Sequence, residues 1–154
     1  MTPDDYVLVS ETPSVEDYLR LRTVPPLSPK TAEAARRGLA NTLFAVVLRH
    51  EGKVIGMGRV IGDGGCFFQI VDMAVEPPHQ GRGLGKRIFG ALVSWLDENA
   101  PDSAYVSLIA DGDARHLYAK FGFAPVTPKS IGMAMRIDAT TRRAAAFAAT
   151  PDSF

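Results

Sequence analysis

Residues 71–88, VDMAVEPPHQGRGLGKRI, join an apolar run to a turn of three glycines and three cations, and their reading decides the fold. Glycine lets a backbone come close to a ligand, and a helix that starts at such a turn aims unpaired N–H groups at an anion. Upstream, residues 66–75 (CFFQIVDMAV) are the longest apolar run in the chain and read as a central strand. Downstream, residues 84–98 carry Leu84, Ile88, Leu92 and Trp95 along one helical face, stopped by Asn99, Ala100 and Pro101. The unit is strand, glycine turn, helix, and its target is negatively charged.

Working outward, residues 6–9 read as a first short strand and residues 14–22 (SVEDYLRLR) as a helix capped by Ser14. Pro25 and Pro26 end it, and residues 28–39 start a second helix with Ser28 as the cap. Residues 43–48 and 54–61 are apolar and β-branched around a short polar turn, which signals a hairpin. Residues 105–110 form a strand and 113–120 a short helix with Gly122 as its C-cap; 123–126 and 131–137 read as two closing strands. The fold class is therefore α/β (α+β), with a mixed, mainly antiparallel sheet of six to seven strands flanked by about four helices. One domain is expected over residues 1–138, with 139–154 as a helical or disordered tail.

Composition narrows the function. The 154 residues are 46% hydrophobic and 22% charged, and 17 basic residues balance 17 acidic ones. A neutral balance argues against a general nucleic-acid binder. The single cysteine, Cys66, allows no intramolecular disulfide or cysteine-rich zinc site, and three scattered histidines give no metal-ligand spacing. No apolar run reaches the roughly 20 residues of a membrane span, and the first residues do not read as a signal peptide. The expectation is a cytoplasmic protein without metal, membrane or nucleic-acid partners.

Three anionic ligands use turns of this kind: a nucleoside triphosphate, a dinucleotide and coenzyme A. A Walker loop, G-x-x-x-x-G-K-[ST], would need glycine at Gln80 and a hydroxyl at Arg87, and fails at both. A dinucleotide turn, G-x-G-x-x-G, starting from Gly81 would need its third glycine at Lys86. The pattern that fits is Q-x-x-G-x-G, met by Gln80, Gly83 and Gly85. This stretch resembles the acyl-CoA signature of the GNAT superfamily of N-acetyltransferases. Residues 111–123, DGDARHLYAKFGF, are similar to that family's second signature, N-x-x-A-x-x-L-Y-x-K-x-G-F.

The resemblance implies acetyl-CoA as co-substrate. It places the pantetheine arm and acyl carbonyl on the backbone of Met73, Ala74 and Val75. The pyrophosphate falls to Gln80, Gly81, Arg82, Gly83, Leu84, Gly85 and Lys86, with Asp111 and Ala114 also contacting the coenzyme. Asp111 stands where the family usually has asparagine. Tyr118 corresponds to the tyrosine that protonates the leaving thiolate, in keeping with a phenol pKa near 10. In the histone-acetylating branch a glutamate on the fourth strand helps deprotonate the amine; here that position is Gln69, which cannot take a proton.

Asp72 is the nearest carboxylate and the second catalytic candidate. A strand bulge is needed to bring it to the same side as Gln69, and a structural partnership with an arginine competes with the catalytic reading. Phe67 and Gln69 are the substrate-binding candidates, in an acceptor pocket between residues 22–30, 67–69 and 127–133. Asp113 reads as a helix cap, His79 and His116 as surface residues, and Cys66 as a buried, inert thiol at the head of the central strand. The expected activity is acetyl transfer to a small primary amine by direct attack in a ternary complex. Acetylation of protein or peptide amines, and acyl-CoA sensing without catalysis, are the alternatives. A homodimer is compatible with the family.

Overall fold

Strand-forming, β-branched residues dominate the middle of the chain, and they build the sheet around which everything else is placed. The computed structural model describes residues 5–138 and 142. The chain divides into two compact units, Met1–Ala124 and Pro125–Phe154. In the first, strands β1 (Val7–Val9), β2 (Phe44–His50), β3 (Lys53–Gly62), β4 (Phe67–Val75) and β5 (Tyr105–Ser107) lie side by side in that order. The first three pairings are antiparallel and β4–β5 is parallel.

Helices α1 (Val15–Leu21) and α2 (Ala32–Leu39) precede the hairpin, α3 (Leu84–Asn99) joins β4 to β5, and α4 (Ala114–Ala119) follows. Two apolar layers sandwich the sheet. On one face α3 buries Leu84, Ile88, Phe89, Leu92 and Leu96 against Val46, Leu48, Ile55, Val60, Phe68 and Ile70. Each such side chain contributes roughly 1.5–3 kcal/mol when fully buried. On the other face Tyr18, Leu21, Ala35 and Leu39 of α1 and α2 cover Val47, Val54, Met57 and Ala74. Gly58 sets how close α3 comes, because a Cβ there would stand 2.7 Å from Ile88 Cγ2 and 2.9 Å from Leu92 Cδ1.

Ser14 caps α1 as expected, its hydroxyl accepting from the Asp17 amide at 3.1 Å. The second helix starts later than expected. Thr31, not Ser28, accepts from the Ala34 amide, and residues 28–30 are irregular.

The sheet has five strands among the described residues, where six to seven were expected. Residues 123–126 and 131–137 enter no ladder. The apolar alternation of Ile131, Met133, Met135 and Ile137 suggested a strand, but these side chains are 53–85% exposed. Alternation marks a one-sided apolar face and does not itself supply a pairing partner. Pro125 and Pro128 also remove two ladder donors from the segment. The expected tail, 139–154, lies outside the described residues except for Arg142.

Candidate active site

One side of the site is made by backbone. β5 pairs with β4 only at Phe67–Gln69, so from Ile70 onward no described strand flanks β4 on that side. Met73, Ala74 and Val75 lie along this open edge, whose outward amides and carbonyls have no ladder partner. A 3-10 turn, Pro77–His79, then leads to the glycines, and Gln80 Nε2 donates to the Val75 carbonyl at 2.8 Å. Thus the Gln80 side chain clips the turn to the strand end.

Gly83 is the N-cap of α3 with φ 77°, a left-handed conformation costly for other residues, and no side chain caps this helix. The first turn of α3 has no acidic residue, so its leading N–H groups and the positive end of its dipole are uncompensated. A Cβ at Gly81, Gly83 or Gly85 would meet nothing within 4 Å. Side chains there would fill the space in front of the turn. Leu84 is buried and anchors the helix, whereas Arg82 and Lys86 are exposed beside the open space. This cradle of bare amides and flanking cations fits a pyrophosphate.

Tyr118 of α4 is half-buried, with its ring 4.5 Å from that of Phe89 on α3. Its hydroxyl has no hydrogen-bond partner among the described residues. Burial, with a smaller contribution from Asp111, pushes its pKa above the usual 10.0, so the phenol holds its proton. Asp111 is exposed and its carbonyl accepts from the Ala114 amide at 3.1 Å. Asp113 occupies the N-cap position of α4, but its side chain accepts no capping bond.

The other side of the site is made by side chains. The β3–β4 register moves from Met57↔Ala74 to Arg59↔Val71, leaving Gly58 opposite both Asp72 and Met73. This bulge holds Asp72 at φ 62° and reverses the alternation of β4. Phe68 and Ile70 pack toward α3 before it, as Met73 and Val75 do after it. Gln69 and Asp72 consequently line one cavity on the α1–α2 face.

Asp72 is 7% exposed and accepts three bonds: from Tyr18 Oη at 3.0 Å, Arg22 Nη1 at 3.0 Å and Arg59 Nε at 2.8 Å. Tyr18 and Arg22 are one helical turn apart on α1 and its C-cap, so they reach the same carboxylate. Burial, then the Asp72 charge and hydrogen bond, push the Tyr18 phenol up to about 12. The cavity, about 340 Å³, is lined by these four residues with Lys30, Gln69, Ile61 and Ile109.

Two sequence readings change, those of Cys66 and His79. Cys66 is exposed in the turn before β4, which begins at Phe67. His79 is half-buried, 2.8 Å from the Tyr6 hydroxyl and edge-on to His50. Phe67 is 64% exposed and tilted against Tyr105, while Phe68 is core against Trp95. His116 is on the surface as expected, and residues 127–133 belong to the second unit. Sequence reasoning missed Tyr18 and Arg59. The signal was available for the latter: Arg59 sits in a β-branched strand one hairpin away from Asp72, and buried opposite charges need each other.

An open-edged central strand, a bare glycine turn and a helix beyond it together define an acetyltransferase fold of the GNAT type. A family model described as "Acetyltransferase (GNAT) domain" matches residues 36–125, and the chain belongs to that family. Among solved structures, it is similar to the protein of unknown function SA2161 from meticillin-resistant Staphylococcus aureus. That match is 47% identical, covers 86% of this chain and 99% of that one, and has a TM-score of 0.81. A GNAT-family protein from Xanthomonas campestris is 25% identical with a TM-score of 0.67, over 84% and 94% of the two chains. Among curated relatives, histone acetyltransferase TAP1 of Glycine max is 31% identical over 104 residues. The match covers 64% of this chain and 44% of that protein. GCN5-related N-acetyltransferase 2 of Arabidopsis thaliana is 37% identical over 49% of this chain and 28% of its own length. The chain therefore spans less than half the length of these two curated relatives.

Proposed function

We propose that the protein transfers the acetyl group of acetyl-CoA to a primary amine of a small molecule, by direct attack in a ternary complex. The observation that carries this reading is the cavity of about 340 Å³ on β4, the same strand whose open edge leads to the glycine turn. Its size suits a small molecule. When bound, acetyl-CoA supplies an activated acyl thioester.

Backbone N–H groups of residues 81–86 would hold the pyrophosphate, assisted by the Arg82 and Lys86 charges. The edge of Met73, Ala74 and Val75 would hold the pantetheine arm and offer donors to the carbonyl where charge develops. Tyr118 Oη carries the proton that a departing thiolate needs, and its raised pKa keeps that proton in place at neutral pH. We assign Asp72 to ordering the cavity, because its two oxygens are already engaged by Tyr18, Arg22 and Arg59. Replacement by Asn tests this: a base role removes the acidic limb of the pH–rate profile, and a positioning role retains it.

The decisive experiment is thiol release from acetyl-CoA against a panel of small amines and lysine peptides. Turnover of small amines supports the proposal. Faster turnover of peptides transfers it to the protein-acetylating alternative, in line with the name of the soybean relative. Tight acetyl-CoA binding without turnover of any amine leaves a sensor. Sedimentation of the same preparation checks the homodimer, for which the exposed Ile131, Met133, Met135 and Ile137 are the supporting surface.

A further inference from the structure

The residues that line the cavity carry an uneven charge. Arg22, Lys30 and Arg59 face it, and Asp72 is the one carboxylate among its described lining residues. Asp72 offsets a single positive charge, and its oxygens are occupied by bonds from Tyr18, Arg22 and Arg59. A second cavity of about 250 Å³ shares Tyr18, Lys30 and Arg59 with the first and is otherwise lined by Ala34, Ala35, Gly38 and Leu39 of α2. It adds no acidic residue.

The cations are also partly uncommitted. Arg59 gives Nε to Asp72 and Nη1 to the Gly38 carbonyl and the Thr42 hydroxyl, while Nη2 has no hydrogen-bond partner among the described residues. No buried side-chain nitrogen or oxygen among the described residues lacks a partner, so this Nη2 keeps solvent-accessible surface, in a residue that lines both cavities. The Lys30 ammonium, on the exposed loop between α1 and α2, makes no hydrogen bond or ion pair among the described residues.

We infer that the cavity binds a small molecule through an anionic group, a carboxylate or a phosphate, held between Arg59 Nη2 and the Lys30 ammonium. Resting on the transferase reading above, this makes the acceptor an amine that also carries an acid. Guanidinium and ammonium groups in a low-dielectric cleft of one sign concentrate such ligands and bind them by charge-assisted hydrogen bonds. Tyr18, protonated with a pKa of about 12, is spent on Asp72 and holds the arginines without adding negative charge. Asp72 thereby acts as a positioning residue: it keeps Arg22 and Arg59 facing the cavity.

The test uses the full chain, acetyl-CoA and matched primary amines bearing a carboxylate, a phosphate or a neutral amide at equal distance from nitrogen. The expected result is a kcat/KM about tenfold or more higher for one of the acids, the better acid naming its source. Lys30→Met, at an exposed and unpartnered position, should lower that acid-to-amide ratio severalfold and move KM more than kcat. Equal turnover of acids and amides overturns the inference while the transferase reading stands.

Calorimetric titration of the carboxylate and phosphate amines, without acetyl-CoA, separates the two claims. Binding that weakens in Lys30→Met, with no turnover of any amine, keeps the anion site and removes the transferase reading. Absence of binding together with absence of turnover overturns both.

Discussion

The two sides of β4 are equipped for a charged ligand by opposite means. On the turn side the proposed ligand contacts are backbone amides left bare by Gly81, Gly83 and the uncapped start of α3, with cations on the surface around them. On the cavity side the proposed contacts are side chains, Arg59 and Lys30, with Arg59 fixed by the buried carboxylate of Asp72. A backbone site is encoded in one short stretch and tolerates change in its decorating side chains. A side-chain site is assembled from four distant segments and fails when one member is lost.

The largest expected effect lies at Tyr118, where the two sides must cooperate. Tyr118→Phe should lower turnover by on the order of 10²–10⁴ while coenzyme A affinity, read by titration, stays unchanged. A rate near that of the parent would break the assignment. Because burial raises the Tyr118 pKa above 10.0, the proton donor should be lost only above that pH, and the rate profile should show no decline from it below pH 10.

Next is Asp72→Ala, which strands two buried guanidinium groups. Urea denaturation should show a loss of about 3–5 kcal/mol, far more than for any single cation of the turn. Equal losses for Asp72→Ala and Lys86→Ala would erase the distinction between the two sides. Gly83→Val forces a β-branched residue into a left-handed conformation at a cost of about 1–2 kcal/mol and fills the open cradle. Coenzyme A affinity should fall by about tenfold or more, with the amine KM less affected.

The smallest effect is in pH-dependent stability. Tyr18 ionises near pH 10 when unfolded and at about 12 when folded, so it contributes stability below pH 10 that is lost as pH rises toward 12. Tyr18→Phe should flatten denaturation midpoints across that window.

The same contrast explains what could be read in advance. The glycine turn, the strand before it and the helix after it are local, and the motif around Tyr118 is contiguous, so residues 71–88 and 111–123 were legible as marks of the GNAT family. The Ser14 cap and the 43–62 hairpin were legible for the same reason, since caps and turns are short-range chemistry. Tyr18 and Arg59 were not, because their partner is Asp72, 54 and 13 residues away respectively, and periodicity reports a face without reporting who occupies it. The closing strands failed on the opposite count. Residues 131–137 have the right alternation, but strand formation needs a neighbour that alternation does not name.

The bulge at Asp72 also makes the length of β4 a functional quantity. Removing that one residue would leave an ordinary, uninterrupted strand with the same neighbours in sequence. Alternation from Phe68 and Ile70 would then still send Met73 and Val75 toward α3, and Ala74 toward α1 and α2. The bulge therefore adds one carboxylate to the cavity side and leaves the facing of the other β4 side chains as it was. A single codon supplies the carboxylate on which the two buried guanidinium groups depend.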